Sequence, residues 1–209
     1  MGKGEFGLQK KTGIELPGEM EGLVRRDREW YLGDTYHIAI GQGDLLTTPI
    51  QVASWTQAVA NNGYRCRPSI LKLGSQDGDC TKVPISTQTL QLIHNGLARA
   101  CSTGGTAYPL FDFAVNTASS SASTRDFNMI SDAVIPLEGS GTKIPIACKT
   151  GTGEFGDPQK RTHAWLTAYA PATNPEIVVT VLVEAGGEGS TVAAPIVKDM
   201  LSEWFSKER

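Results

Sequence analysis

An α+β arrangement, an antiparallel sheet with helices laid on it, is predicted by the C-terminal part of this 209-residue chain. Apolar runs at 144–150, 163–170 and 176–183 follow one another. The turns between them carry Gly156-Asp157-Pro158 and Pro171-Ala172-Thr173-Asn174-Pro175, so an antiparallel meander is the simplest topology. A last helix from about Thr191 carries Val192, Ile196, Met200, Leu201, Trp204 and Phe205 on one face, and that stripe must lie on the sheet.

The elements upstream follow from local signals. The first forty-odd residues are rich in Gly and charge, with few apolar runs, and read as loops and turns. A helix comes next: Thr47 or Thr48 caps it and Pro49 takes its first position. Val52, Trp55, Val59 and Ala60 form an apolar stripe along it before Asn62-Gly63 ends it. Residues 68–73 read as a strand. Ser86 caps a second helix with Leu90, Ile93, Leu97 and Cys101 at helical spacing, stopped by Gly104-Gly105. Residues 106–143, rich in Ser, Thr and Gly, read as a long irregular connection.

Composition narrows the class. A hydrophobic fraction of 40% with 20% charged residues is that of a folded globular protein. A net charge of -3 gives no basic footprint for nucleic acid. No stretch approaches the roughly 20 apolar residues of a membrane span, and the charged start has no signal-peptide core. The 4 cysteines, Cys66, Cys80, Cys101 and Cys148, have no CxxC spacing, so neither a metal nor a cofactor is expected. A hairpin through Gly74–Asp79 can bring Cys66 and Cys80 together as a disulfide in an oxidising compartment; two unpaired thiols is the alternative.

The chemistry centres on Lys149-Thr150-Gly151-Thr152, at the end of the 144–148 run. A KTG triplet at a strand end is one of three motifs in serine enzymes that acylate on D-Ala-D-Ala peptides or β-lactams. Other blocks run in order with it: Gly13-Ile14-Glu15-Leu16-Pro17-Gly18-Glu19, Gly33-Asp34 through Ile40-Gly41-Gln42-Gly43-Asp44, Thr48-Pro49-Ile50-Gln51, Ala60-Asn61-Asn62-Gly63, His163-Ala164-Trp165 and Val192-Ala193-Ala194-Pro195. Over nearly the whole chain this order resembles the C-terminal part of the transpeptidase domain of class B penicillin-binding proteins, of the penicillin-binding protein 2 type. The resemblance implies an antiparallel sheet flanked by helices, the penicillin-binding and serine β-lactamase-like fold. It also implies D,D-transpeptidation of peptidoglycan stem peptides through an acyl-enzyme on serine.

In that family the nucleophile opens S-x-x-K at the start of a helix, and S-x-N is the second motif. The formal match Ser69-Ile70-Leu71-Lys72 follows Arg67-Pro68 and meets Gly74 two residues after Lys72, too short for a helix that aims Ser and Lys together. Ser69 is therefore expected in a strand and not as a nucleophile. Ser131-Asp132-Ala133 lacks the terminal amide of the second motif. Both motifs are expected upstream of Met1, which makes 1–209 the C-terminal portion of an incomplete transpeptidase domain. Without its upstream half the piece is expected to expose an apolar patch on the 144–183 strands and the Trp55 helix. Alone it should be neither reactive nor stable.

By the resemblance, Lys149 sets a positive charge beside the nucleophile and attracts the substrate carboxylate, to which the Thr150 and Thr152 hydroxyls donate. Gly151 leaves room for a peptide to lie along the strand, and the Thr152 N–H is one oxyanion donor. His163 is read as structural, Glu154, Asp157 and Arg161 as a solvated turn at the rim, and Gly41-Gln42-Gly43 as a tight turn near the site. Trp165, Trp204 and Phe205 are assigned to the core, and Cys148 stands where the family usually has Gly. The partners implied are the stem peptide, β-lactams, the upstream half of the same protein and the cell-elongation glycosyltransferase machinery. The implied place is the extracytoplasmic (periplasmic) face of the bacterial membrane, with an upstream helix as anchor. A β-lactamase or carboxypeptidase relative, or a non-catalytic β-lactam-sensing or scaffold module, are the competing readings.

Overall fold

The structure, a computed structural model, describes residues 6–24, 29–71, 79–115 and 141–207. In chain order the elements are β1 (Leu23–Val24), α1 (Leu32–Ala39), β2 (Leu45–Leu46), α2 (Pro49–Ala60), β3 (Tyr64–Cys66), β4 (Cys80–Lys82), α3 (Thr87–Ala100), β5 (Ala114–Val115), β6 (Thr142–Lys143), β7 (Ala147–Glu154), β8 (Thr162–Ala170), β9 (Ile177–Val183) and α4 (Ala194–Ser206). Among the described residues β7, β8 and β9 form an antiparallel meander with β8 at its centre, and the other strands make two-stranded ladders. This is the helix-flanked antiparallel sheet expected from the sequence.

Side chains alternate across β8, so its two faces hold two different cores. Ala164, Leu166, Ala168 and Ala170 are buried with Val197 and Leu201 of α4 and with Leu110, Phe113 and Val115. On the opposite face Tyr169 is buried with Ala60 of α2 and Ala147 of β7. Burial pushes the Tyr169 phenol up to about 12, so it stays protonated, and its oxygen lies 2.6 Å from Nδ1 of His94 on α3. Thr167 on the same face shares hydroxyl bonds with Thr56 of α2 and Thr180 of β9, both at 2.8 Å, so these three hydroxyls between α2 and the sheet are partnered.

α2 begins as its sequence dictates. The Thr48 hydroxyl accepts the Gln51 N–H at 3.3 Å, the Gln51 side-chain oxygen accepts the Thr48 N–H at 3.0 Å, and Pro49 opens the helix. Gln51 is buried, and its amide also donates to the carbonyls of Lys10 (3.0 Å) and Glu21 (2.8 Å), pinning the extended N-terminal segment to the helix. Inside that segment the Glu19 carboxylate accepts the Thr12 N–H and hydroxyl, both at 2.5 Å, and the Gly13 N–H at 3.1 Å. Burial pushes the Glu19 carboxyl up, but these donors outweigh it, and its pKa lies below the ordinary value. A depressed carboxylate stabilises fully above the unfolded value of about 4.3, and that contribution is lost as pH falls through the folded one. Glu19→Gln is therefore expected to lower the melting temperature at neutral pH and to match the parent once the pH lies below both values. A shift of equal size at both pH values would remove the carboxylate from the account.

Several expectations are corrected. α1 lies in the part read as loops; it is an eight-residue helix with no buried residue, so no apolar stripe marks it. The strand expected at 68–73 lies earlier and is shorter: β3 ends at Cys66, and Pro68 supplies no ladder donor. Ser69 sits in the irregular segment after β3; Lys72 lies outside the described residues, as do 116–140 of the long connection. The described ends of that connection hold a 3-10 turn (Tyr108–Leu110), β5 and β6. β7 starts at Ala147, after Pro145, and runs through Glu154, so Lys149–Thr152 stand mid-strand and not at its end. In α2 the buried face is Gln51, Ser54, Thr56, Ala58 and Ala60, while Val52, Trp55 and Val59 are half-buried. In α4 the face on the sheet is Ala194, Val197 and Leu201; of the expected stripe Leu201 is buried there and Val192 and Phe205 pack half-buried against the core, whereas Ile196, Met200 and Trp204 are exposed. Trp165 is half-buried too. On the strands and the Trp55 helix, where an apolar patch is expected, no large apolar side chain is among the exposed ones of the described residues, though Val52, Trp55, Val59, Ile177 and Val178 are half-buried; Leu16, Met20, Trp30, Leu32, Tyr36, Ile40 and Leu46 are exposed.

Candidate active site

β7 is an edge strand, so one of its sides pairs with β8 and the other has no strand partner among the described residues. Register sets the faces: Lys149 opposes Thr167 and Gly151 opposes Trp165, while Thr150 opposes Leu166 and Thr152 opposes Ala164. Lys149 thus lies on the α2 and α3 face, and the two threonines lie on the α4 face. Lys149 is exposed, and its ammonium donates to the Thr150 carbonyl at 2.6 Å. A charge, two hydroxyls and a row of backbone groups are presented along one edge, which is what binding an extended peptide with a carboxylate end requires.

Neighbouring elements hold this strand from several directions. Thr106, in the loop after α3, shares a 2.8 Å hydroxyl bond with Thr150. Gln42, in the turn after α1, donates its amide to the Thr152 carbonyl at 2.8 Å. Cys148, fully buried beside Lys149, is disulfide-bonded to Cys101 at the end of α3, with Cα atoms 5.8 Å apart. A Cβ built on Gly151 would sit 3.1 Å from Cβ of Trp165, so glycine lets the two strands carry an indole at this point. Gly189 opens the wide helical turn Gly189–Ala193 that leads into α4. It is pressed against the Trp165 and Gly151 backbones, and a Cβ there would lie 2.6 Å from the Gly151 carbonyl oxygen.

The residues singled out by sequence fall as follows. Lys149, Thr150, Gly151 and Thr152 are contiguous on the open edge. His163 opposes Gly153, stacks on Phe155 of the turn with ring centroids 4.0 Å apart, and accepts the Ala185 N–H on Nδ1 at 3.0 Å. That structural role matches the reading made of it. Asp157 is bound by Arg161 through two side-chain bonds of 3.0 and 2.7 Å, and this guanidinium is the main cause holding its carboxyl below the ordinary value. Ser69 donates to Glu15 at 2.9 Å and accepts the Leu71 N–H at 3.1 Å, committed to its own loop. The Glu15 carboxyl is held low by its own backbone N–H first and by Ser69 second. Cys66 and Cys80, directly opposed in the β3–β4 ladder, are disulfide-bonded, which settles the open alternative. Thr106, Gly189 and the Cys101–Cys148 bond escaped sequence reading, since each acts across a long separation; for Thr106 the preceding Gly104-Gly105 stop was the available signal.

An edge strand of this composition, backed by a His-Ala-Trp strand and a small-residue helix start, defines a class. The chain belongs to the family of the penicillin-binding protein transpeptidase domain, whose profile matches residues 2–202. Over 98% of its length it is 30% identical to peptidoglycan D,D-transpeptidase MrdA of Salmonella typhimurium (strain SL1344), of which it covers 33%. It is likewise 30% identical, over 93% of its length, to penicillin-binding protein 2B of Streptococcus pneumoniae (strain D39), covering 28% of that protein. Penicillin-binding protein 2 from Helicobacter pylori superposes with a TM-score of 0.70 at 30% identity, over 96% of this chain and 34% of that one. The same H. pylori protein in complex with MreC gives a TM-score of 0.68 at 31% identity, over the same 96% and 34%. The chain thus spans about a third of the length of the MrdA relatives it matches.

The Cys101–Cys148 bond joins positions 47 residues apart, so it constrains a long loop of the unfolded chain. Replacing both cysteines with Ala is expected to destabilise by about 2–4 kcal/mol, read as a lower urea midpoint. An unchanged midpoint would show that packing alone holds α3 to β7.

Proposed function

We propose that this chain supplies the substrate-binding strand of a peptidoglycan D,D-transpeptidase whose nucleophilic serine lies on polypeptide outside residues 1–209. The observation that carries the reading is the open edge of β7, with Lys149, Thr150 and Thr152 at the positions that match the family motif. In the reaction the serine oxygen attacks the carbonyl of the penultimate D-Ala and the terminal D-Ala leaves. An amine of a second stem peptide then takes the acyl group. Lys149 lowers the cost of the serine's deprotonation and holds the carboxylate, the Thr150 and Thr152 hydroxyls donate to that carboxylate, and the Thr152 N–H stabilises the oxyanion. β-Lactams enter as stem-peptide mimics. The remaining partners follow the relatives: the upstream half of the domain, and the cell-elongation machinery, of which the MreC complex of the H. pylori protein is the solved example. The place of action is the extracytoplasmic face. No helix among the described residues is long and apolar enough to cross a membrane.

Incubating the chain joined to its upstream segment with a fluorescent penicillin, then mapping the labelled peptide, tests this. The adduct is expected on a serine outside residues 1–209. Label on Ser69, or none with both parts present, would overturn the reading and favour a free-standing sensing module.

A further inference from the structure

The edge on which a peptide would be received is already occupied, and by side chains of this chain. Along a strand, the carbonyls of residues i and i+2 point to the same side. The carbonyls of Thr150 and Thr152 both accept side-chain donors, Lys149 Nζ at 2.6 Å and Gln42 Nε2 at 2.8 Å. Both carbonyls therefore belong to the side of β7 away from β8. An unpaired edge offers acceptors that must be satisfied by something, and here side chains satisfy them. Lys149 is local and swings on its own stem. Gln42 is different: it reaches across 110 positions of sequence from the Gly41-Gln42-Gly43 turn to a single carbonyl. Gly41 and Gly43 both have positive φ, 74° and 89°, so the turn is shaped to project that one side chain.

We propose that Gln42 is an edge guard, a specificity-determining residue whose carboxamide caps the Thr152 carbonyl in the empty site and is displaced by the backbone N–H of the incoming peptide. This deepens the proposed function and rests on it. A ligand with an N–H at the matching position replaces the bond it breaks, one donor for another. A ligand that lacks the N–H and still covers the edge leaves the carbonyl unsatisfied, and a smaller one leaves Gln42 in place. The guard thus selects for acylamino-bearing, extended ligands and shields the edge from pairing with stray strands. It acts on the binding step and touches none of the reacting atoms.

The test compares the parent with Gln42→Ala and Gln42→Leu, the second retaining bulk without a donor, in protein carrying the upstream segment. The probes are benzylpenicillin, which has an acylamino N–H, penicillanic acid, which has none, and an extended peptide ending in D-Ala-D-Ala. Expected is a roughly two- to fivefold tighter dissociation constant for benzylpenicillin in both variants, the size of one exposed hydrogen bond. The acylation rate constant should be unchanged, and penicillanic acid should show no difference. In 15N-labelled parent protein the Gln42 side-chain amide signal should shift on adding the peptide. If penicillin acylates the parent while that signal stays put and the variants bind no tighter, the guard is refuted and the transpeptidase reading stands. If the peptide shifts Gln42 but no acylation occurs, the guard stands and the transpeptidase reading falls. Weaker binding of all three probes by both variants would make Gln42 a strut of the turn and overturn the proposal.

Discussion

Lys149→Ala should lower the second-order rate of penicillin acylation by about 10²–10³-fold in protein that carries its upstream segment. Lys149 is exposed on β7 and its ammonium donates to the adjacent Thr150 carbonyl, so its removal leaves no buried hole. On the proposed function, what disappears is a fixed positive charge beside the carboxylate and the nucleophile. Thermal unfolding should barely change, which separates loss of chemistry from loss of fold. Lys149→Arg, which keeps the charge but not the compact ammonium, should recover part of the rate. An acylation rate within threefold of the parent in the Ala variant would mean that Lys149 has no part in the site.

Gly189→Ala should damage the same site from beneath, by a different route. The added methyl would meet the Trp165 carbonyl, and it would lie 2.6 Å from the Gly151 oxygen and 3.0 Å from the Gly151 nitrogen. These are backbone atoms of paired strands and cannot swing aside as a side chain would. Either the turn into α4 lifts off the sheet, uncovering Ala193, Ala194 and Val197, or β7 and β8 are pushed apart at Gly151. Overpacking of this kind costs about 3 kcal/mol or more. Urea unfolding of the variant reads the stability loss directly, and penicillin labelling of the joined protein should fall with it. A midpoint equal to the parent's would show that the turn has slack the close contacts do not suggest.

Sequence revealed the parts of this fold that rest on local signals. Thr47 or Thr48 followed by Pro49 signalled one helix start, and Ser86 and Gly104-Gly105 bounded another helix, so α2 and α3 were legible. The meander was legible because its strands alternate and its turns carry Pro, Gly and Asn. What sequence could not show was which face of each helix meets the sheet. The apolar stripes of α2 and α4 were chosen by bulk; Leu201 of α4 is buried on the sheet as expected, but close approach elsewhere favours Ala, Val, Ser and Thr, and Ile196, Met200 and Trp204 are turned outward. α1 was missed because nothing in it is buried. At the site, Lys149–Thr152 were legible as a motif and Gly41-Gln42-Gly43 as a turn beside it, whereas Thr106, Cys101 and Gly189, which also hold the strand, come from remote parts of the chain and carry no spacing signal.

The Cys101–Cys148 bond also has an evolutionary and practical consequence. It turns the stretch between the two cysteines into a closed covalent ring, with its ends held 5.8 Å apart at a point one residue from Lys149. Lengthening such a ring costs only about 0.6 kcal/mol per doubling of its length, and the cost falls on closing the ring, not on the placement of Lys149. Insertions within the ring, between Cys101 and Cys148, are therefore expected to leave the placement of Lys149 unchanged. A protease cut there would yield two pieces that migrate as one chain until a reductant is added.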